Sequence, residues 1–364
     1  MPDRNQQRAL FEGVFPQTVQ VAFDTDLQSS DGGGLLLGAV DRKLGLTAAL
    51  ASCFADPRDP DKVRHSFLEL FRQGVYSRAL GYADGNDAAT LGGDPILQTL
   101  CGRKPGADSR LGSQPTLSRF ERAPSARELR AAMICFEDQV IRSVRKKHRK
   151  AKRIILDLDG THDPVHGAQQ LGLFNGFYDC YCYLPLLGFL SVEGQPEQWL
   201  IHARLRSGKA RQVQGVLPLL RRIVPKLRRA FRGAALLVRL DGGFETPRLL
   251  AELEALKVQY VVGMPQNRVL NREIGDLLDE AYATATASGA SCRSFDSFHY
   301  QPKSWSQPRR IVAKAEALVH EGRPVKRNPR FVVTNLRDEP EAVYTLYCGR
   351  GDSENRIKEL KDDL

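Results

Sequence analysis

No stretch of the sequence approaches the run of about 18 apolar residues that a helix needs to cross a bilayer, and the opening "MPDRNQQRAL" lacks the apolar core of a secretory signal. A membrane partner is therefore not expected, and the cytoplasm is. Cysteine is sparse and unpaired. The seven residues Cys53, Cys101, Cys135, Cys180, Cys182, Cys292 and Cys348 are odd in number and never in CxxC spacing, which argues against a disulfide framework and against a zinc module. His162 and His166 in "THDPVHG" have no third ligand at a suggestive spacing, so a softer metal has no ready site.

What is present is a chain of 364 residues, 42% hydrophobic, with a formal net charge of +10. That length and apolar content suffice for two or three domains, and the charge balance suits a polyanionic partner. The cations concentrate in "RSVRKKHRKAKR" (142–153) and "RRIVPKLRRAFR" (221–232). The first run separates a helical pattern from the apolar run "IILDLDG" and marks a boundary near residue 150. The second alternates cations with Ile223, Val224, Leu227 and Phe231 at helical spacing, so one side packs while the other stays positive. Either run can meet a phosphate backbone or form a solvated helix face.

Residues 1–150 read as mainly helical, in "LLLGAVDRKLGLTAALASCF", "VRHSFLELFRQGVYSRALGY" and the short "QPTLSRFER". The last follows a Gly/Pro-rich stretch, with Ser113 or Thr116 as its cap. It suits a structural helix or the reading helix of a helix-turn-helix, in which Gln114, Thr116, Ser118 and Arg119 would reach DNA.

From residue 151 strands alternate with helices. "RIILDLDG", "YCYLPLLGFLSV" and "QWLIHARLR" read as strands, "VQGVLPLLRRIVPKLRRAF" as a helix, "AALLVRLDGGF" as a strand, "PRLLAELEALK" as a helix and "VQYVVGMP" as a strand. Three strands, a helix, a strand, a helix and a strand describe an α/β, RNase H-like order. In that order the first and fourth strands end side by side, so Asp159 and Asp241 would face each other. Residues 151–265 form the first part of this core. Residues 266–340, with "RRIVAKAEALV" and "RFVVTNL" as strands, read as a β-rich insertion, because so long a connection is not expected to lack structure. There Trp305 can stack on a base or pack internally, with Arg309 and Arg310 placed to hold phosphates beside it.

The segment 341–364 ends in "YCGRGDSENRIKELK". At 100° per residue Arg350, Glu354 and Lys361 fall within about 40° of one another, with Tyr347 about 20° further round. Ile357 shares this stripe. Surface ion pairing is one reading, and Ser353 as N-cap would leave Tyr347 and Arg350 on the lead-in. The other reading is a third acid delivered beside Asp159 and Asp241. Phosphodiester chemistry has a use for such a trio, because two Mg²⁺ ions about 4 Å apart stabilise both the attacking and the leaving oxygen. Arg350 and Lys361 would then clamp phosphate beside Glu354.

The spacing Tyr347-x2-Arg350-x3-Glu354-x6-Lys361 resembles the Y-R-E-K signature of DDE transposases from bacterial insertion sequences. With "SSDGGGLLL", "HSFLELFRQGVYSRALGYADGNDAATL", "SQPTLSRFE", "LDLDGTHDPVHGAQQ", "YLPLLGF", "VRLDGGF" and "YVVGMPQN", nearly the whole chain is similar to the DDE group-one branch, the thirteen-eighty family. The resemblance implies an RNase H-like catalytic domain with a β-rich insertion before the glutamate helix, preceded by a mainly helical DNA-binding region. It implies cleavage and joining of DNA at element ends by two Mg²⁺ ions, with Mn²⁺ as a substitute, held by Asp159, Asp241 and Glu354. The implied partners are the inverted-repeat ends and target DNA, in the bacterial nucleoid, and a dimer in the DNA complex is allowed. Gly74 and Gly92 stand where the family has basic residues. Members also continue through the glutamate helix into further helices, whereas this sequence stops at Leu364, so a truncated chain that binds DNA but is weak or inactive in excision is expected.

Two other readings stay open. A non-catalytic DNA-binding remnant fits the same basic runs. "ILDLDGT" also matches the nucleophile motif of haloacid dehalogenase-like phosphatases, in which Asp157 would attack phosphorus and Asp159 act as acid and base.

Overall fold

The structure is a computed structural model that describes residues 7–8, 11, 13–16, 19–21, 27–106 and 110–362. The chain forms two compact units, 1–139 with 359–364, and 140–358.

The first unit contains helices α1 (Gly34–Leu44), α2 (Leu46–Ala51), α3 (Phe67–Ala79), α4 (Ala88–Leu91), α5 (Pro95–Cys101) and α6 (Gln114–Arg122). The long α7 (Ala126–Lys147) begins here and carries the boundary between the units, between 139 and 140, about ten residues before the expected boundary near 150. The stretch expected as one helix from Leu35 breaks at Gly45, whose φ of 68° ends α1 in the left-handed conformation that glycine adopts without a Cβ penalty. Phe15, Leu35, Tyr76, Leu97, Leu100 and Leu111 form the core. The buried Asp41 carboxylate accepts from the Thr47 N–H and hydroxyl and from the Tyr76 hydroxyl, so its burial is compensated.

The second unit is built on one mixed sheet. Its strands are β1 (Arg153–Gly160), β2 (Leu186–Val192), β3 (Gln198–Arg204), β4 (Ala235–Leu240), β5 (Gln259–Met264), β6 (Cys292–Tyr300), β7 (Arg309–Leu318) and β8 (Arg330–Thr334). They lie in the order β6-β7-β8-β5-β4-β1-β2-β3, with a two-residue strand, Lys326–Arg327, against β7. β1, β4 and β5 are parallel and the other pairings antiparallel. The parallel connections need crossovers, which α8 (Val216–Ala230) and α9 (Pro247–Ala255) belong to.

Alternation along each strand divides the apolar residues between two faces. Ile154, Leu156, Leu158, Val238, Leu240 and Val262 pack with Leu220, Ile223 and Leu227 of α8 and Leu249 and Leu253 of α9. On the other face Ile155, Leu237, Val261, Val312 and Val332 meet Val343 and Tyr344 of α12 (Pro340–Cys348). Asp157, Asp159 and Arg239 share the parity of that second face.

The expected strand "YCYLPLLGFLSV" is two strands. Leu184 and Pro185 interrupt it, and Cys180–Tyr183 pairs instead with Asp163–Pro164 and Leu173–Asn175 in a small three-stranded sheet. Residues 266–340 fold as α10 (Arg268–Glu273), α11 (Gly275–Ser288) and the strands β6, β7 and β8, which extend the main sheet beyond β5. α13 (Gly351–Asp362) closes the chain.

Candidate active site

Asp159 and Asp241 sit at neighbouring strand ends because β1 and β4 pair in parallel register, Leu158 opposite Leu240. Asp159 ends a strand buried on both faces, and its Oδ1 accepts the Gly160 N–H at 2.9 Å. Asp241 follows β4, where its Oδ1 accepts the Gly243 N–H at 3.0 Å and fixes a short turn.

Glu354 arrives on α13, and the lead-in departs from the expectation of one helix. α12 ends at Cys348 and α13 begins at Gly351, so Tyr347 occupies the last turn of one helix and Glu354 the first turn of the next. Ser353 is not an N-cap. It lies inside α13, and its hydroxyl donates to the Arg350 carbonyl at 2.7 Å. The only large apolar anchor of α13 against the second unit's sheet is Ile357, packed on Leu187 and Phe189 of β2.

Arg350, at the junction, joins two of the acids. Its Nη1 donates to Asp159 Oδ2 at 2.9 Å and its Nη2 to Glu354 Oε1 at 2.6 Å. Burial pushes the Asp159 carboxyl up to about 6; the Arg350 charge opposes the shift, while Asp241 and Glu354 add to it. Asp241 is raised for the same first reason, again opposed by Arg350 and reinforced by Glu354. The three carboxylates therefore share one electrostatic field, with a single bridging guanidinium against three negative charges. Tyr347 belongs to this group. Its phenol is raised by burial and by Asp241, and its hydroxyl lies over Gly263, where a Cβ would meet it at 2.5 Å. Lys361 lies in the last turn of α13, in the part of the chain that groups with the first unit.

The donor set is all carboxylate oxygen, which suits a hard divalent ion such as Mg²⁺ or Mn²⁺. A cation would also relieve the carboxylate repulsion that adds to the burial shift of Asp159 and Asp241. Among the described residues no group of three or more His, Cys, Asp or Glu is already arranged to hold an ion.

Three expected nucleic-acid contacts need correction. Trp305 is only 4% exposed, packs edge-on against Tyr300 at 5.9 Å and is covered by the Arg309 guanidinium at 4.9 Å, so its ring has no face for a base. Arg309 is itself buried and pairs with Glu254 through Nε at 2.6 Å and Nη2 at 2.9 Å. Arg310 donates to the Leu336 and Asp338 carbonyls and to the Ser297 hydroxyl. All three are tied into the sheet extension rather than offered to phosphate. On α8, Arg221 pairs with Glu252 and Arg228 holds the Leu256 and Lys257 carbonyls, so part of that positive face is also engaged. Arg119 is exposed on α6, whose Ser113 hydroxyl meets the Thr116 hydroxyl rather than capping a backbone N–H.

Among the neighbours of the acids, Arg206 and Gln212 escaped the sequence reading, whereas Tyr178 reads from the sequence as strand packing rather than base stacking. Arg206 is buried with Nε on the Leu184 carbonyl at 2.7 Å and Nη1 on the Gln212 carbonyl at 2.8 Å. A Cβ on Gly160 would collide with Gln212 Oε1 and come within 3.1 Å of Arg206 Nη2, so glycine next to Asp159 leaves room for both. Tyr178 stacks on His162 with centroids 4.3 Å apart, and its phenol is raised by burial and then by Asp159 and Asp241. Tyr178 lies in a turn within the aromatic-rich "FNGFYDCYCY", which alternation alone assigns to ordinary strand packing.

The molecule is thus a mixed α/β protein whose sheet carries two acids on adjacent strand ends, with a third acid bridged to the first by arginine. The family described as "Transposase DDE domain group 1" matches residues 11–364, and the chain belongs to it. That family implies DNA as partner, transposition or nuclease activity and the use of divalent metal ions. No helix among the described residues is long and apolar enough to cross a membrane. No curated protein matches the sequence significantly. Among solved structures, the NurA nuclease from Sulfolobus solfataricus is similar at 10% identity over 61% of this chain and 85% of that one, with a TM-score of 0.27.

Proposed function

We propose that this chain is a DNA transposase whose RNase H-like unit cleaves and joins element-end DNA, with Asp159, Asp241 and Glu354 as the metal-holding acids. The observation that supports this best is the Arg350 bridge between Asp159 and Glu354, which are far apart in sequence, beside Asp241 just past the end of the neighbouring strand. The order β3-β2-β1-β4-β5, running inward from one edge of the sheet, supports the RNase H-like reading.

Divalent ions bound by the three carboxylates would neutralise charge on the attacking and leaving oxygens. The chain's own groups supply the rest. Arg350, released from Glu354, is placed to hold a phosphate oxygen, and Tyr347 and the buried Arg206 support the strand ends that carry the acids. Arg119 and the exposed cations of α6 and α7 in the helical unit are the proposed contacts to the inverted repeats, with Lys361 a further phosphate contact.

The phosphatase alternative is disfavoured by Asp157, which is fully buried and held through both oxygens by Arg239, away from any incoming phosphoryl group. The test uses a duplex carrying the terminal sequences that flank the coding region, incubated with Mg²⁺. Nicking by the unmutated chain, lost in Asp241→Asn with binding retained, is expected. Binding without nicking in the unmutated chain would leave the DNA-binding remnant as the answer.

A further inference from the structure

The small sheet of Asp163–Pro164, Leu173–Asn175 and Cys180–Tyr183 forms a flap between β1 and β2. Among the described residues, six of the seven exposed large apolar side chains of the second unit lie on it or directly beside it: Leu171, Leu173, Phe174, Phe177, Tyr181 and Leu205. Phe177 is 87% exposed. Such a concentration marks a binding surface rather than the scattered apolar exposure of any protein.

Its chemistry narrows the occupant. Phe177 meets Tyr178 edge-to-face at 4.9 Å and 88°, and Phe174 meets Tyr181 at 5.6 Å and 65°, so each pair engages one ring face, and Phe177 at its exposure keeps a face open to solvent. The loop behind the flap is held by the Asn175 amide donating to the Gly208 carbonyl at 2.8 Å and by the Tyr183–Ser207 bridge. That loop exposes Lys209 and Arg211. Open aromatic faces beside cations are what sequence-tolerant single-strand binding uses, bases on the rings and phosphates on the cations. The flap also adjoins the acids, since Tyr178, next to Phe177, stacks on His162 and feels Asp159 and Asp241.

We infer that this flap is a nucleobase-binding platform, on which Phe177 stacks an unpaired base of a DNA strand while Lys209 and Arg211 hold its phosphates. The inference rests on the nucleic-acid reading of the same site and names the form of DNA that it takes. An unpaired base held there would fix the strand beside Asp159 and Asp241.

The experiment measures fluorescence anisotropy of the full chain with a labelled oligothymidylate and with an abasic strand of equal phosphate count, in EDTA. Unmutated protein should prefer the strand that has bases. Phe177→Ala should weaken oligothymidylate binding about tenfold and leave abasic binding unchanged, and the Lys209→Ala/Arg211→Ala double variant should weaken both alike. Equal affinity of the unmutated chain for the two strands overturns the inference, as does a Phe177→Ala variant that binds oligothymidylate normally or weakens both strands equally. Loss of self-association in Phe177→Ala by sedimentation, with oligothymidylate affinity unchanged, would assign the patch to a second copy of the chain instead. The readout needs no metal and no cleavage, so it can fail while the nicking assay succeeds, and the reverse.

Discussion

Asp157 and Arg239 form a bidentate pair inside the sheet, Nε to Oδ1 and Nη2 to Oδ2, both at 2.7 Å. The third nitrogen of Arg239 donates to the Leu346 carbonyl of α12 at 2.9 Å, so the pair ties β1, β4 and the helix that leads to Arg350. The Gly349 position belongs to the same joint, because a Cβ there would meet Arg239 Nη1 at 2.5 Å.

Removing one partner of this pair leaves a buried charge uncompensated, at a cost of about 3–5 kcal/mol, whereas replacing both with apolar residues is far milder. Arg239→Leu should therefore lower the unfolding temperature sharply, and Asp157→Leu/Arg239→Leu should recover most of the loss. Calorimetry of the two variants decides it; an equally unstable double variant would mean that the Leu346 contact, not the charge balance, carries the effect.

Asp159 predicts a pH dependence with a definite sign. Its carboxyl lies near 6 in the fold against a reference of 3.8, so between those values the native state binds more protons than the unfolded chain and stability falls as pH rises. The offset is worth roughly 3 kcal/mol. In EDTA, Asp159→Asn should therefore gain on the unmutated chain from pH 4 to pH 6.5, and Mg²⁺ should stabilise the unmutated chain but not the variant. Urea titrations at several pH values, with parallel curves for the two chains, would contradict this.

The central sheet was legible because its signals are local. "RIILDLDG", "AALLVRLDGGF" and "VQYVVGMP" carry buried-strand patterns that end in acid or in turn residues, and the β1–β4 adjacency is read from the order of three strands, a helix, a strand, a helix and a strand. What was not legible depends on partners far away in sequence. Trp305 reads equally as a stacking or a packed aromatic until Arg309, held by Glu254 across 55 residues, is seen to cover it. β6 was missed because "CRSFDSFHY" alternates weakly, with half-buried residues where a strand with one packed face would have apolar ones. The break between α12 and α13 hides in two glycines, Gly349 and Gly351, and only the first is explained by a contact that a side chain would destroy.

Gly263 gives the most local test of the site. It lies on β5 facing α12, and a Cβ there would meet the Tyr347 hydroxyl at 2.5 Å, the Gly242 nitrogen at 2.8 Å and the Asp241 carbonyl carbon at 3.2 Å. The tyrosine can rotate away, but the peptide after Asp241 cannot move without shifting the carboxylate. Gly263→Ala should therefore cost about 1–3 kcal/mol of stability through overpacking. If the Asp241 carboxylate shifts by about 1 Å, Mg²⁺-dependent nicking should fall on the order of a hundredfold. Adding Tyr347→Phe removes the hydroxyl clash alone, so it should restore part of the stability and little of the nicking. Gly275→Ala, at the open start of α11 where a Cβ meets nothing within 4 Å, is the control that should leave both unchanged. Full recovery of nicking in Gly263→Ala/Tyr347→Phe would show that Tyr347, rather than the Asp241 turn, is what the glycine protects.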